Sequence, residues 1–112
     1  MAVNRKRLID GSQLTTSAVT YYTAPANTTT QITVLALTNT TAGALTADVY
    51  LIPSGGSATD SNRVLSARSL AANETYIVTG AIGQVLAPAG FIQAKASAGT
   101  SINIVASGIE II

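Results

Sequence analysis

The sequence has 112 residues and a mass of 11.3 kDa, which suits one domain and leaves no room for a second. It contains no Cys and no His, excluding disulfides and most transition-metal sites. The formal net charge is +1, with only 10% charged residues, so hydroxyls and amides must supply most of the surface polarity.

A domain of this size buries a modest fraction of its surface. The 47% of hydrophobic residues includes 19 Ala, and Ala, Thr and Ser together number 45. Thr suits a pleated surface because of its β-branch, whereas Ala fills tight layers with little apolar area. A lean core of this kind implies further burial between subunits, and we expect a homo-oligomer. Arg5, Lys6 and Arg7 are half of the six basic residues, so a short basic arm precedes a slightly acidic body. No apolar run approaches the roughly 18 residues needed to cross a membrane. Polar Asp10, Gly11, Ser12 and Gln13 follow the basic run, so no secretory signal is expected.

In chain order, residues 1–13 are expected as a basic N-terminal arm, with a short strand if it docks, and residues 14–112 as a single β-sandwich domain. The first clear strand covers Ala18–Thr23 and enters the turn Ala24-Pro25-Ala26-Asn27, where Pro fixes φ. Thr30–Asn39 begins with period two and then becomes apolar on both faces at Val34–Leu37, placing Leu35 or Leu37 against an arm or a subunit. Ala44–Pro53 alternates most clearly, with Leu45, Ala47, Val49 and Leu51 on one face. Pro53–Ser57 ends it. A polar loop then leads to a short strand or helical turn at Arg63–Ala67, and strands follow at Thr75–Thr79, Val85–Ala87 and Phe91–Ser97. In the last strand, Ser101–Ile112, Ile102, Ile104 and Ala106 share one phase while Ile109 and Ile111 take the other, predicting a β-bulge or bend at Gly108. Seven to nine short strands with frequent turns argue for an all-β sandwich or barrel. We expect a compact antiparallel β-sandwich, jelly-roll-like, with an N-terminal arm.

Catalytic chemistry finds few candidates. The carboxylates Asp10, Asp48, Asp60, Glu74 and Glu110 show no spacing that selects a pair. A serine nucleophile would lack its His base. No catalytic, cofactor-binding or metal-ligating residue is expected, and the chain is not expected to be an enzyme. Pro53-Ser54-Gly55-Gly56-Ser57 lacks the spacing of a phosphate loop, and Asp60-Ser61-Asn62 offers a cation only one carboxylate. The sequons at Asn27, Asn39 and Asn73 are matches that sixteen threonines make common by chance. Arg5, Lys6 and Arg7 lack the aromatic interleaving of a nucleic-acid surface. Nucleic-acid contact is therefore not expected, and the run reads either as solvated or as docking on an acidic protein surface. Adjacent Tyr21 and Tyr22 should face opposite sides of their strand, so at most one is expected in the core; ordinary strand packing is the favoured reading of the tyrosines, ahead of a subunit contact or a sugar. The candidate partner-contact residues are thus Arg5, Lys6, Arg7, Tyr21, Tyr22, Leu35 and Leu37.

The segments Tyr21-Tyr22-Thr23-Ala24-Pro25-Ala26-Asn27-Thr28-Thr29, Tyr50-Leu51-Ile52-Pro53-Ser54-Gly55-Gly56-Ser57 and Ser69-Leu70-Ala71-Ala72-Asn73-Glu74-Thr75-Tyr76, with Ile92–Ser97 and Ala106–Ile111 after them, occur in an order that resembles small virion structural proteins of tailed bacteriophages. The resemblance spans residues 15–112. It implies a β-sandwich decoration or cement protein that binds the major capsid protein, with a tail, collar or fibre component as the alternative. It also implies location in the virion, after assembly in the host cytoplasm, and repeated copies, for which we expect a trimer. The basic arm would attach by ordering on its partner and adding a strand there. A carbohydrate-binding module, requiring an exposed Tyr cluster, is the alternative outside virion assembly.

Overall fold

The computed structural model describes residues 2–112. Nine strands follow one another: β1 (Val3–Gln13), β2 (Val19–Thr23), β3 (Thr29–Asn39), β4 (Leu45–Ile52), β5 (Arg63–Leu70), β6 (Thr75–Ile77), β7 (Val85–Leu86), β8 (Phe91–Ala96) and β9 (Ile102–Ile111). Short 3-10 turns occupy Asp60–Asn62 and Thr79–Ala81. Among the described residues no helix is long and apolar enough to cross a membrane.

All pairings are antiparallel. One sheet runs β1-β9-β3-β6, with β7 also on β3; the other runs β2-β8-β4-β5. The chain passes between the sheets at every connection except β4–β5 and β6–β7, which gives a jelly-roll-like sandwich. This is the expected fold class.

The core lies between the sheets and is layered by side-chain size. The first sheet supplies branched residues, Ile32, Leu35, Leu37, Ile102 and Ile104, all 0% exposed. The second supplies Ala47 paired with Ala96, and Val49 paired with Ala94. Small residues on one layer let the facing layer approach closely. Leu14, Leu70, Val78 and Leu86 close the margins between the sheets.

Two differences from the sequence reading concern backbone register. Of the arm expected over residues 1–13, with a short strand on docking, residue 1 lies outside the described residues, and residues 3–13 form the long edge strand β1, paired with β9 from Val3–Ile111 to Gln13–Asn103. Its Leu8 and Ile9 are both buried, and that apolar pair anchors the segment. The second difference is that β9 alternates without a break: residues 102, 104, 106, 108 and 110 all face inward. The irregularities lie in its two neighbours: at Leu8 of β1 and Thr33 of β3, opposite residues 106–108, and again in β1 between Ile9 and Ser12, opposite residues 104–106. A Cβ on Gly108 would lie 2.4 Å from the Gln31 carbonyl oxygen and 2.8 Å from Leu8 Cδ1. Glycine is there because neighbouring groups close in on it, while its own strand stays regular.

The Thr33 bulge also explains the two-sided apolar run. It shifts the phase of β3, so Ile32 and then Leu35 and Leu37 point inward, leaving Val34 and Ala36 half-buried outside.

Candidate functional site

The two sheets present different outer faces. On the β2-β8-β4-β5 side, Asp48, Tyr50 and Ile52 point outward yet are 9%, 3% and 0% exposed. The chain covers them itself. The Arg63 guanidinium lies over the Tyr50 ring, 5.0 Å from its centroid, and donates to Asp48 Oδ1 at 2.7 Å and to Asp60 Oδ1 at 3.0 Å. Asp48 also accepts the Ala67 N–H at 2.6 Å, holding Ala67 at φ 45°, a left-handed conformation that a non-glycine residue adopts only when held. Asn62 fastens the loop, accepting the Thr59 N–H and donating to the Ser57 carbonyl. Asp48, Tyr50 and Ile52, on the face of β4 opposite Leu45, Ala47, Val49 and Leu51, are thus also buried.

On the β1-β9-β3-β6 side nothing among the described residues covers the outer face. Val105, Ala36 and Ile77 form a row across β9, β3 and β6. Ile109 lies between Arg5 and Gln31, and Ser107 between Arg7 and Val34. Ile111 pairs with Val3 at the end of the sheet. Val3, Ile77 and Val85 are 56%, 40% and 57% exposed. The bulges leave a shallow recess of about 480 Å³ lined by Arg5, Lys6, Thr33, Ser107, Gly108 and Ile109. The result is an apolar stripe bordered by cations, the usual composition of a contact surface.

Between the sheets, one margin is polar. The Tyr22 hydroxyl donates to Glu110 Oε2 at 2.5 Å and lies 2.8 Å from Thr30 Oγ1, while Lys6 Nζ sits 3.6 Å from Glu110 Oε1. Burial, reinforced by the Glu110 carboxylate, pushes the Tyr22 phenol up to about 12. Burial also raises the Tyr21 phenol above its ordinary value. At another margin, fully buried Asn39 donates to the Gly43, Leu70 and Ala71 carbonyls and accepts the Thr41 N–H and hydroxyl. Its amide ties the β3–β4 turn to the end of β5.

Among the residues expected to make contacts, Arg5, Lys6 and Arg7 are exposed on β1, but Leu35 and Leu37 are core residues turned inward by the Thr33 bulge. Tyr22 is buried and Tyr21 half-buried beside the core, because a bulge between Thr20 and Tyr22 removes their simple alternation. Tyr50 and Tyr76 lie under Arg63 and Arg68. The tyrosines therefore form no exposed cluster of the kind a sugar-binding patch requires. Sequence reasoning missed Glu110, Asn39 and the Val105–Ala36–Ile77 row. Glu110 could have been found from unbroken alternation along β9. Asn39 gave no signal beyond that of a turn residue. Among the described residues no group of three His, Cys, Asp or Glu side chains could hold a metal ion.

No known protein family matches the sequence, and no curated protein does. Among solved structures, one similar chain comes from "Structure of infectious bursal disease virus Gx strain", at 21% identity and a TM-score of 0.49. The match covers 98% of this chain and 32% of that one. The fold assignment rests on strand order, not on this likeness.

Proposed function

We propose that this protein is a non-enzymatic structural component of a bacteriophage virion, a decoration or cement protein that binds the capsid as a homo-oligomer, with a trimer as the expected state. The observation that carries this reading is the outer face of the β1-β9-β3-β6 sheet, an apolar stripe uncovered among the described residues, whereas on the other sheet Asp48, Tyr50 and Ile52 of β4 are buried. Jelly rolls also serve as lectin and cupin domains, so the fold alone does not select the role. The motif order that resembles phage structural proteins favours virion assembly over those alternatives. Repeated copies on a shell would add weak contacts into firm attachment.

Two measurements test the reading. Native mass measurement should give a trimer, and the protein should co-sediment with parent capsids that lack it. A stable monomer with no retention on capsids overturns the proposal. Imaging of labelled protein should show it across the shell; labelling at the unique tail vertex would select a tail or collar component.

A further inference from the structure

We infer that the free edge of β1 at residues 3–7 is a strand-addition site for an extended acidic segment of a partner protein, read as acid-x-acid-x-apolar. The inference rests on the proposed structural role and names the partner chemistry that role would use.

The four sheet edges differ in what they offer. β6 and β7 are three and two residues long, and the pairings of β2 and β5 are interrupted by register shifts. From Val3 to Arg7, β1 pairs with β9 without interruption, and no strand of the described residues pairs on its other side. Ala2 and Ile112 exchange both backbone hydrogen bonds, at 3.3 and 2.9 Å. In an antiparallel ladder such pairs alternate with pairs whose amides point away. Asn4 and Lys6 therefore bond to β9, while the N–H and C=O groups of Val3, Arg5 and Arg7 point to the open edge. An added strand needs those groups.

The side chains of the same three residues set the specificity. Val3, Arg5 and Arg7 share the outer face with Ile111, Ile109 and Ser107. Among the described residues neither Arg5 nor Arg7 pairs with a carboxylate; the only cation of the run that does is Lys6, with Glu110. An antiparallel strand would place residues two apart opposite Arg7 and Arg5, and a third opposite Val3. Carboxylates at the first two positions and an apolar residue at the third complement the edge. A second copy of β1 does not, because self-pairing centred on Lys6 sets Arg5 against Arg7 and Lys6 against itself. The bulge at Leu8 ends the regular edge, fixing the length of the motif.

The test uses the full protein and a short blocked peptide of sequence Glu-Thr-Glu-Thr-Val, with two controls: Lys in place of Glu, and N-methylation of the amides that would face β1. The expected result is saturable binding by fluorescence anisotropy. Amide exchange at Val3, Arg5 and Arg7 should slow at least tenfold, and N-methylation should abolish both effects. The double variant Arg5→Glu with Arg7→Glu should lose the acidic peptide and take the Lys peptide. Absence of binding overturns the inference, leaving the cations as guards of an edge. Binding that survives N-methylation overturns it in favour of charge attraction alone. Protection of the same amides in concentrated protein without peptide overturns it in favour of a second copy. Capsid co-sedimentation separates the two readings. A double variant that sediments like wild type defeats this inference and leaves the virion role intact. Wild type that binds peptide but no capsid defeats the role and leaves the strand site.

Discussion

The two outer faces of the sandwich solve the same problem in opposite ways. A sheet this rich in aliphatic residues has more apolar surface than its inner side can hide. On the β4 side the chain uses its loop and the Asp48–Arg63–Asp60 ion pairs to bury Tyr50 and Ile52. On the β9 side it leaves Val105 and Ile109 half-buried and Ile77 exposed, beside Arg5 and Arg7, which pair with no carboxylate among the described residues. The covered face concerns the stability of one copy, whereas the open face is the one the proposed assembly would use.

That contrast can be broken or sharpened by substitution. The largest loss should come from Gly108→Ala, whose methyl group would collide with backbone on β3; we expect destabilisation of about 3 kcal/mol or more, read as a lowered denaturant midpoint. On the covered face, Asp48→Ala should cost about 2–3 kcal/mol, because it leaves the half-buried Arg63 charge only its contact with exposed Asp60 and frees Ala67. Oligomer mass should not change. The polar margin should show itself at high pH. The folded state holds the Tyr22 proton more tightly than the unfolded chain, so the stabilisation is complete below pH 10 and disappears as pH rises towards 12. The loss should be about 2 kcal/mol in alkaline denaturation and absent in Tyr22→Phe. The smallest change in stability, within about 1 kcal/mol, should follow Val105→Ser on the open face. That variant should nevertheless lose assembly by mass measurement, and if it assembles normally the contrast between the faces fails.

Much of this architecture was legible in the sequence. The alternation of Leu45–Leu51 and of Ile92–Ala96 marks β4 and β8 because each has an inner face lined with apolar residues. The turns Ala24–Asn27 and Pro53–Ser57 separate strands as their Pro and Gly residues imply. What could not be read is register between strands distant in sequence. The phase change of β3 at Thr33 lies opposite Gly108 and Ser107, some seventy residues later, where the strands approach too closely for a side chain. Leu35 and Leu37 consequently read as contact residues when they are core. The covering of Tyr50 was hidden for the same reason, since Arg63 reaches it across a loop whose own composition signals only flexibility. The basic run was visible from the start, but its place on a sheet edge depends on Leu8 and Ile9 finding β9.

The pairing of Val3 with Ile111 also bears on the order of events during folding. Joining positions so far apart closes nearly the whole chain into a loop, and that entropy is recovered only after the intervening strands have ordered. Strand β1 should therefore be the last to zip and the first to fray, exchanging its amides well before β3 or β8. The edge that carries the unmatched cations is also the part of the molecule that can most readily wait for a partner.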